Sequence, residues 1–297
     1  MPEPYRPVLI PAGLKHPRVR ELLDVKRRPA SSALGRDGLP GSMALEGTWL
    51  IGQALAAGAR IRAVFVCPAL MQQTAGGTAL ARSAISAGAE AYEISERVLA
   101  RIADRDRPDG IAALGQIRPR TLDDILVRRR TRVVIADGWD LPGNLGTLIR
   151  CADGAGASGV LVVEPGFGMG HPLVVRASMG AALTMPVAAV SRPAAGRWLA
   201  EHGFNIVAAD PAGTCSYRDA DYRGPLAIVA GSERRGLAPE WLTASDCTVA
   251  IPMLGSCDSL NAAVAAALLL YEALAQDGNQ PSRGGAQIRY EDDGAVS

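Results

Sequence analysis

Two polar side chains that follow an apolar run give the first sign of chemistry in this sequence. Residues 132–140 read RVVIADGWD, a pattern typical of a buried strand, and LPGNLGTLIR follows directly. It places Asn144 and Arg150 six residues apart. A guanidinium is a permanent cation with a planar fork of donors, suited to binding phosphate or stabilising developing negative charge. On spacing alone, a surface arginine and an asparagine that caps the helix remain open alternatives.

Two later segments also place polar residues just after apolar runs. LAIVAGSERRGL carries Glu233, and VAIPMLGSCDSLN carries Ser259 and Asn261 ahead of an alanine-rich helix. Ordinary structural roles are open here too: Glu233 as an acid in the first turn of a helix, and Ser259 or Asp258 as the cap of the last helix. Because ligands of parallel α/β sheets bind outside the carboxyl ends of the strands, we expect the three segments to meet at one site.

Taken together, the three segments resemble the conserved motifs of the SpoU/TrmH RNA 2'-O-ribose methyltransferases of the SPOUT superfamily. The resemblance spans residues 132–274, with the motifs in the same order. HPLVVRASMGA, between the first and second motifs, resembles the family's R-A-S-x-G segment. The matching positions are Asn144, Gly146, Arg150, Arg176, Ser178, Gly180, Gly231, Glu233, Gly236, Leu237, Ile251, Pro252, Met253, Ser259, Leu260, Asn261, Tyr271 and Glu272.

The resemblance implies a fold, a cofactor and a set of site residues. The fold is α/β, with a C-terminal SPOUT-type parallel sheet that contains a deep trefoil knot, preceded by a smaller ribosomal-protein-like α/β domain. The cofactor is S-adenosyl-L-methionine, and the enzyme is a homodimer whose active site draws residues from both subunits. The implied catalytic residues are Asn144, Arg150, Glu233, Ser259 and Asn261, and the implied cofactor-binding residues are Gly231, Ile251, Met253 and Leu260. Core packing is the alternative for Ile251 and Leu260.

The implied role of Arg150 is that of a cation. A neutral guanidine base would cost several kcal/mol, since the pKa of arginine lies above about 12. We therefore expect a charged Arg150 to grip the phosphate next to the target ribose and to steady the alkoxide, with Asn144 orienting it by a hydrogen bond. The destination of the hydroxyl proton stays open.

The elements that must position these residues divide the chain of 297 residues into two domains. Residues 1–116 alternate short helices and strands, and the stretches HPRVREL and LEGTWLIGQAL resemble the substrate-binding domain of rRNA-modifying family members. We predict a linker over 117–131, the methyltransferase domain over 132–276 and a disordered tail over 277–297. The runs GVLVVE, FNIVAAD, LAIVAGS and CTVAIPM predict further parallel strands.

Basic charge in the first domain predicts contacts with RNA. The whole chain has a net charge of +1, but residues 1–36 carry eight Lys or Arg against three acids, 8 − 3 = +5. The RNA-binding candidates are Lys15, Arg18, Arg27, Arg28 and Arg36. A solvated basic face without a partner is the alternative.

Composition excludes several other classes of protein. The five cysteines are odd in number and form no Cys-x-x-Cys pair, and three histidines are too few to complete a zinc site, so we expect no metal and a reducing cytoplasmic setting. The longest apolar run, from Ala262, is too short to cross a bilayer.

The most specific hypothesis is an S-adenosylmethionine-dependent RNA ribose 2'-O-methyltransferase acting on large-subunit rRNA. A tRNA-methylating enzyme is the alternative within the same class, because the catalytic motifs do not encode the RNA. A catalytically silent RNA-binding protein would require a broken motif, and a nucleotide-binding enzyme without RNA would leave the basic N-terminal charge unexplained.

Overall fold

The computed structural model describes residues 9–27, 42–72 and 74–277. The first part of the chain forms a five-stranded mixed sheet in the order β1-β4-β3-β5-β2. Its strands are β1 (Ile10–Pro11), β2 (Ser42–Glu46), β3 (Arg60–Val66), β4 (Glu90–Glu93) and β5 (Ile111–Gln116), and its helices are α1 (Pro17–Lys26), α2 (Thr48–Ala56), α3 (Pro68–Met71), α4 (Gly77–Ser86) and α5 (Glu96–Ile102). Separate apolar clusters cover the two faces of the sheet, so this part has its own core.

The second part is built on a seven-stranded sheet in which every neighbouring pair is parallel, in the order β10-β12-β9-β11-β6-β7-β8. Its strands are β6 (Arg132–Asp137), β7 (Gly159–Val163), β8 (Val187–Val190), β9 (Asn205–Ala209), β10 (Cys215–Ser216), β11 (Leu226–Gly231) and β12 (Cys247–Ala250). Its helices are α6 (Pro142–Gly154), α7 (Pro172–Ala177), α8 (Ala181–Thr184), α9 (Arg192–Glu201), α10 (Pro239–Ala244) and α11 (Ala262–Gln276). The predicted parallel α/β fold is confirmed.

Helices cover both faces of the parallel sheet, which explains its continuous apolar strands. On one face, α6 and α11 pack side by side over Val134, Ile228 and their neighbours. On the other face, α9 and α10 bury Trp198 and Trp241 against Ile135. Every residue of β6 is buried, as expected for a strand at the centre of a two-sided sheet.

The two parts share apolar packing at their junction. Val175 of α7 and Leu183 of α8 are 2% and 1% exposed and belong to the apolar cluster of the first sheet. The segment 117–131 is packed rather than extended: it contains a 3₁₀ turn at Leu122–Asp124, a buried Ile125, and a parallel bridge from Arg120 to Ala188. The first part is therefore anchored to the second by side chains as well as by the chain connection.

The last described residue, Asp277, follows α11 and contacts the start of the parallel sheet. Asp277, predicted to begin a disordered tail, instead ends α11 and forms an ion pair with Arg132, whose side chain is 7% exposed. Burial lowers the pKa of Arg132 below its ordinary value, so the pairing with Asp277 compensates a desolvated cation. The rest of the predicted tail, residues 278–297, lies outside the described residues. None of the helices within the described ranges is long and apolar enough to cross a membrane.

Candidate functional site

A cavity of about 360 Å³ opens at the carboxyl ends of β9, β11 and β12. All four predicted cofactor-binding residues line it, together with Ser259 and Glu233. The full lining is Ala209, Asp210, Pro211, Ala230, Gly231, Ser232, Glu233, Gly236, Leu237, Val249, Ile251, Met253, Asp258, Ser259, Leu260, Ala262 and Ala265. The parallel sheet thus brings the second and third sequence motifs to one place, as the strand-end rule predicts.

Gly231 is required by a close approach of the backbone. A Cβ at this position would lie 2.1 Å from the Gly236 carbonyl oxygen and 2.5 Å from the Leu237 nitrogen. The loop therefore folds back onto the end of β11, and an isolated bridge between Ser232 and Gly236 closes it. Gly236 has φ +65°, in the left-handed region that favours glycine. The wall of the cavity is formed here by main chain.

Glu233 gathers the polar residues at the mouth of the cavity. Its Oε1 accepts hydrogen bonds from Asn144 Nδ2 at 2.9 Å and from Asn261 Nδ2 at 2.6 Å. The Ala262 amide donates to the same oxygen at 3.4 Å. Among the described residues, no hydrogen bond reaches the second carboxylate oxygen, Oε2. The three motifs therefore meet at one carboxylate.

Three structural roles that spacing alone left open at this site are wrong. The N-cap of α6 is Leu141, and Asn144 lies within the first turn with its side chain on Glu233. Glu233 lies in the turn after β11 and not in a helix. Neither Asp258 nor Ser259 caps α11: Asn261 does, its Oδ1 accepting from the amides of Ala263 and Val264 at 3.0 and 3.3 Å. Asn261 thus serves as helix cap and cluster member at once.

Arg150 does not join this cluster within one chain. It lies two turns into α6, its side chain is exposed, and it makes no hydrogen bond or ion pair with any residue in the described part of the chain. A helix turns 100° per residue, so Arg150 points about 120° away from Asn144. A Cβ at Gly146, one turn before Arg150, would lie 2.6 Å from Ala177 of α7, and a Cβ at Gly154, one turn after Arg150, would lie 3.1 Å from the Tyr271 hydroxyl of α11, whereas Asn144 faces Glu233. Within the described part of the chain, the predicted hydrogen bond between Asn144 and Arg150 is absent.

Two further contacts hold the loops at the ends of β6 and β11 in place. No sequence pattern identifies the residues that form them. The indole Nε1 of Trp139 donates to the Ala230 carbonyl at 3.0 Å, and Arg235 Nη2 donates to the Gly138 carbonyl at 3.0 Å. Both join the loop after β6 to the end of β11. Asp210 also lies in the cavity wall, and its position at the end of the run FNIVAAD could have identified it.

The basic residues of the first domain lie in different environments. Lys15 and Arg27 are exposed beside the two ends of α1. Arg18 instead pairs with Glu21 at 2.8 Å and also donates to Glu90, so a phosphate would have to displace these carboxylates. The hydrogen bond from Arg18 lowers the pKa of Glu90 to about 2, with a further contribution from Tyr92. Arg28 and Arg36 lie outside the described residues.

Comparison with known proteins places the chain in a family. The SpoU rRNA Methylase family matches residues 131–271, and the MRM3-like substrate binding domain matches residues 39–113. A 23S rRNA (guanosine-2'-O-)-methyltransferase of Shewanella oneidensis is 35% identical over 205 residues, which cover 67% of this chain and 83% of that relative. The chain belongs to the SpoU rRNA Methylase family.

Other relatives of this SpoU chain extend the comparison. A 23S rRNA (uridine(2479)-2'-O)-methyltransferase of Streptomyces viridochromogenes is 36% identical over 177 residues, 58% of this chain and 62% of that protein. The crystal structure of an AdoMet-bound rRNA methyltransferase from Sinorhizobium meliloti has a TM-score of 0.79 at 30% identity and covers 89% of this chain and 96% of its own. In the described part of this SpoU chain, no group of three or more His, Cys, Asp or Glu residues could hold a metal ion.

Proposed function

We propose that this SpoU chain transfers a methyl group from S-adenosyl-L-methionine to a ribose 2'-hydroxyl of large-subunit rRNA. The observation that carries the proposal is the Glu233 cluster at the mouth of the cavity, because it unites the three motifs beside a space fit for a cofactor. The names of the relatives, both 23S rRNA 2'-O-methyltransferases, support the reaction and the substrate class.

The residues of the cavity fit S-adenosylmethionine. Its volume of about 360 Å³ lies in the range of small-molecule sites, about 300–1,000 Å³. Ile251, Met253 and Leu260 offer an apolar surface suited to an adenine ring. There is no room for a Cβ at Gly231, so the main chain itself forms the wall there and offers its N–H and C=O groups to the cofactor at close range. Two relatives whose structures contain AdoMet, from Sinorhizobium meliloti and Streptomyces viridochromogenes, agree with this fit.

The chemistry then divides among few residues. A methyl group on a sulfonium is already activated, so the bound cofactor supplies the electrophile. The protein must hold the ribose oxygen in line and stabilise the alkoxide while the hydroxyl proton is lost to solvent, so that the products are the methyl ether, a neutral thioether and one proton. Arg150 does so as a cation that binds the adjacent phosphate. Glu233 is a positioning residue, because it holds Asn144 and Asn261 in place, and Ser259 lies at the cavity wall beside them.

A homodimer would bring Arg150 to a cavity that its own chain does not let it reach. Val264, Leu268 and Tyr271 of α11 are 45%, 37% and 50% exposed and recur at helical spacing, which forms an apolar stripe open to solvent. A second copy packed on this stripe would cover it. We infer that each active site combines one subunit's Glu233 cluster with the partner subunit's Arg150.

We also infer the trefoil knot of the SPOUT fold in the second domain. Its support is the crowding of three backbone segments around the cavity. A Cβ at Gly213 would lie 2.6 Å from the carbonyl carbon of Val249, and the loop after Gly231 is as close to its own strand. Such approaches are expected where chain segments thread past one another.

The first domain, matched by a substrate binding domain, would hold the rRNA. In the proposed arrangement residues 1–116 bind RNA, residues 132–276 carry the chemistry, and 117–131 connect them. Exposed Lys15 and Arg27 support phosphate contacts. The larger basic set, which includes Arg18, Arg28 and Arg36, remains part of the proposal.

Methylation of separated RNAs tests the function. The purified protein is incubated with methyl-labelled cofactor and, in parallel, with unmodified 23S rRNA, 16S rRNA or bulk tRNA, and the labelled nucleotide is mapped by its resistance to alkaline cleavage. Label at one 2'-oxygen of 23S rRNA is expected. Label only in tRNA would replace the substrate class, and cofactor binding without transfer to any RNA would refute the enzyme.

A further inference from the structure

One tryptophan of this chain stands out by its exposure. Of the four tryptophans, Trp139, Trp198 and Trp241 are 2%, 9% and 1% exposed, whereas Trp49 is 39% exposed. Trp49 is the second residue of α2, at the junction of the two domains. An exposed indole leaves a large apolar surface in contact with water, and an exposed helix position does not need an indole for the protein to fold.

The indole is seated against the catalytic half of the chain. A Cβ at Gly180 would lie 3.1 Å from Trp49 Cζ3, and Gly180 has φ +82°, so this position accepts only glycine without strain. One edge of the ring therefore abuts the main chain between α7 and α8, and the remainder faces solvent. Contact on one edge therefore restricts the position of the ring, while none of the described residues buries its remaining surface.

The chain segment that the ring abuts, residues 176–180, carries one cationic and one apolar exposed side chain. Met179, next to Gly180, is 42% exposed and has φ 50°, which a methionine rarely adopts. Arg176, on the same segment, has a side chain that is 58% exposed, and its ion pair with Asp104 is long at 3.8 Å. Arg176 also lines a small cleft with Leu50, the neighbour of Trp49.

The same segment lies beside the side of α6 that carries Arg150. At Gly146, α6 touches α7 so closely that a Cβ would lie 2.6 Å from Ala177 Cβ. Arg150 follows one turn later on this side of α6, where α6 also contacts α8. We call Trp49, Arg150, Arg176 and Met179 the junction surface. Its residues come from α2 of the first domain, from α6 and α7, and from the segment between α7 and α8.

We propose that Trp49 stacks on an unpaired base of the RNA substrate while Arg176 binds a neighbouring phosphate. This inference rests on the proposed function, to which it adds a contact that recognises single-stranded RNA. Sequence-tolerant recognition of RNA single strands combines aromatic rings with cations, and the junction surface offers both. One indole and one thioether are too little apolar area for a protein interface, and two arginines complement a polyanion.

Intrinsic fluorescence isolates this contact, because Trp49 is the one exposed tryptophan of the four. We expect a ten-nucleotide single-stranded RNA to quench its emission and to protect it from iodide. The same strand in a duplex, whose bases are already stacked, should leave the emission unchanged. Trp49→Phe should lose the quenching signal yet keep RNA affinity within about threefold, since a ring remains.

Trp49→Ala should weaken binding of the single strand by about five- to 150-fold, as expected when one base can no longer stack on an aromatic ring. The KM for 23S rRNA should rise accordingly, with cofactor affinity unchanged. Leu242→Ala removes a side chain of similar exposure, 44%, from α10 and is the matched control. If Trp49→Ala fails to fold, the wild-type quenching and its absence in Trp49→Phe still decide.

The outcomes separate this inference from the proposed function. Methylation of 23S rRNA with no change in Trp49 emission, or equal quenching by single strand and duplex, would overturn base stacking and leave the enzyme standing. Quenching by the single strand without methyl transfer to any RNA would support the junction surface and refute the enzyme. Protection of Trp49 by another protein but not by RNA would also overturn the inference.

Discussion

At the scale of residues, one carboxylate oxygen determines the geometry of the site. Glu233 Oε1 accepts from two carboxamides and one amide, so the side chains of Asn144 and Asn261 cannot rotate independently. Arg150, exposed two turns into α6, is held by none of these contacts. The site thus separates a rigid cluster from a cation that must meet the substrate in another way.

Arg150→Ala should lower kcat by about 10²- to 10³-fold, because the alkoxide loses its stabilising cation. The dissociation constant of S-adenosylmethionine should stay within about twofold, since Arg150 does not line the cavity. Arg150→Lys should restore little, because an ammonium cannot contact two groups with a planar fork. Single-turnover methylation and calorimetry provide the measurements, with Arg197→Ala on α9 as control. A variant with substantial turnover would return Arg150 to an ordinary surface residue.

The basic residues in α1 and beside its two ends should differ in their effect on RNA binding. Replacing both Lys15 and Arg27 with alanine should reduce the slope of log K against log salt by about two, one for each phosphate that is no longer neutralised. Arg18→Ala should leave the slope nearly unchanged and cost at most about 1 kcal/mol of stability, because its carboxylate partners are partly exposed. Filter binding over a salt series tests both. An equal reduction of the slope with Arg18→Ala would show that phosphate displaces Glu90.

At the scale of elements, the end of α11 locks the start of β6. Asp277→Ala should reduce the free energy of unfolding by about 3 kcal/mol, since it leaves the buried Arg132 guanidinium unpaired. The double change Arg132→Met with Asp277→Ala should recover most of that stability. Urea unfolding measures both, and Glu201→Ala, an exposed acid at the end of α9, is the control. Unchanged stability of Asp277→Ala would argue that the pair is solvated.

Sequence patterns predicted elements best where burial is complete. The apolar runs of β6, β7, β9 and β11 were recognised because both of their faces are covered. The short strands β2 and β8 carry serine or alanine in place of β-branched runs and were missed. At the site, the motifs named the three residues that meet at the Glu233 cluster, whereas spacing alone left open a helix at Glu233, where the structure has a turn because Gly236 leads the chain back onto β11. Orientation around α6 depends on tertiary packing that spacing does not encode.

At the scale of the whole molecule, the two domains are joined by buried contacts. A chain lacking residues 1–116 should still bind S-adenosylmethionine and should lose most RNA affinity. It should also melt at a lower temperature, because Val175 and Leu183 would become exposed. Calorimetry and RNA binding of the truncated chain provide the test. Full methylation of 23S rRNA by the truncated chain would contradict the division of labour.

A mixture of two inactive variants tests the shared site directly. If the partner subunit's Arg150 completes each site, a heterodimer of Arg150→Ala and Glu233→Ala chains has one doubly impaired site and one intact site. Random pairing should then restore about a quarter of wild-type activity. Each variant mixed with itself is the control. No recovery in dimers shown to have exchanged subunits would place both residues in the same chain's site.

The closure of the parallel sheet by its last helix has a consequence for biosynthesis. Central strand β6 pairs with β11 at the register Leu226↔Arg132, and β11 leaves the ribosome some ninety residues after β6. Arg132 also pairs with Asp277, which follows α11 and is synthesised later still. The nascent catalytic half must therefore stay incomplete until nearly the whole domain has emerged, since its defining contacts are distant along the chain. The first domain has its own core and can fold earlier. During that interval the apolar strands are exposed, which makes translation of residues 132–277 the period of greatest aggregation risk.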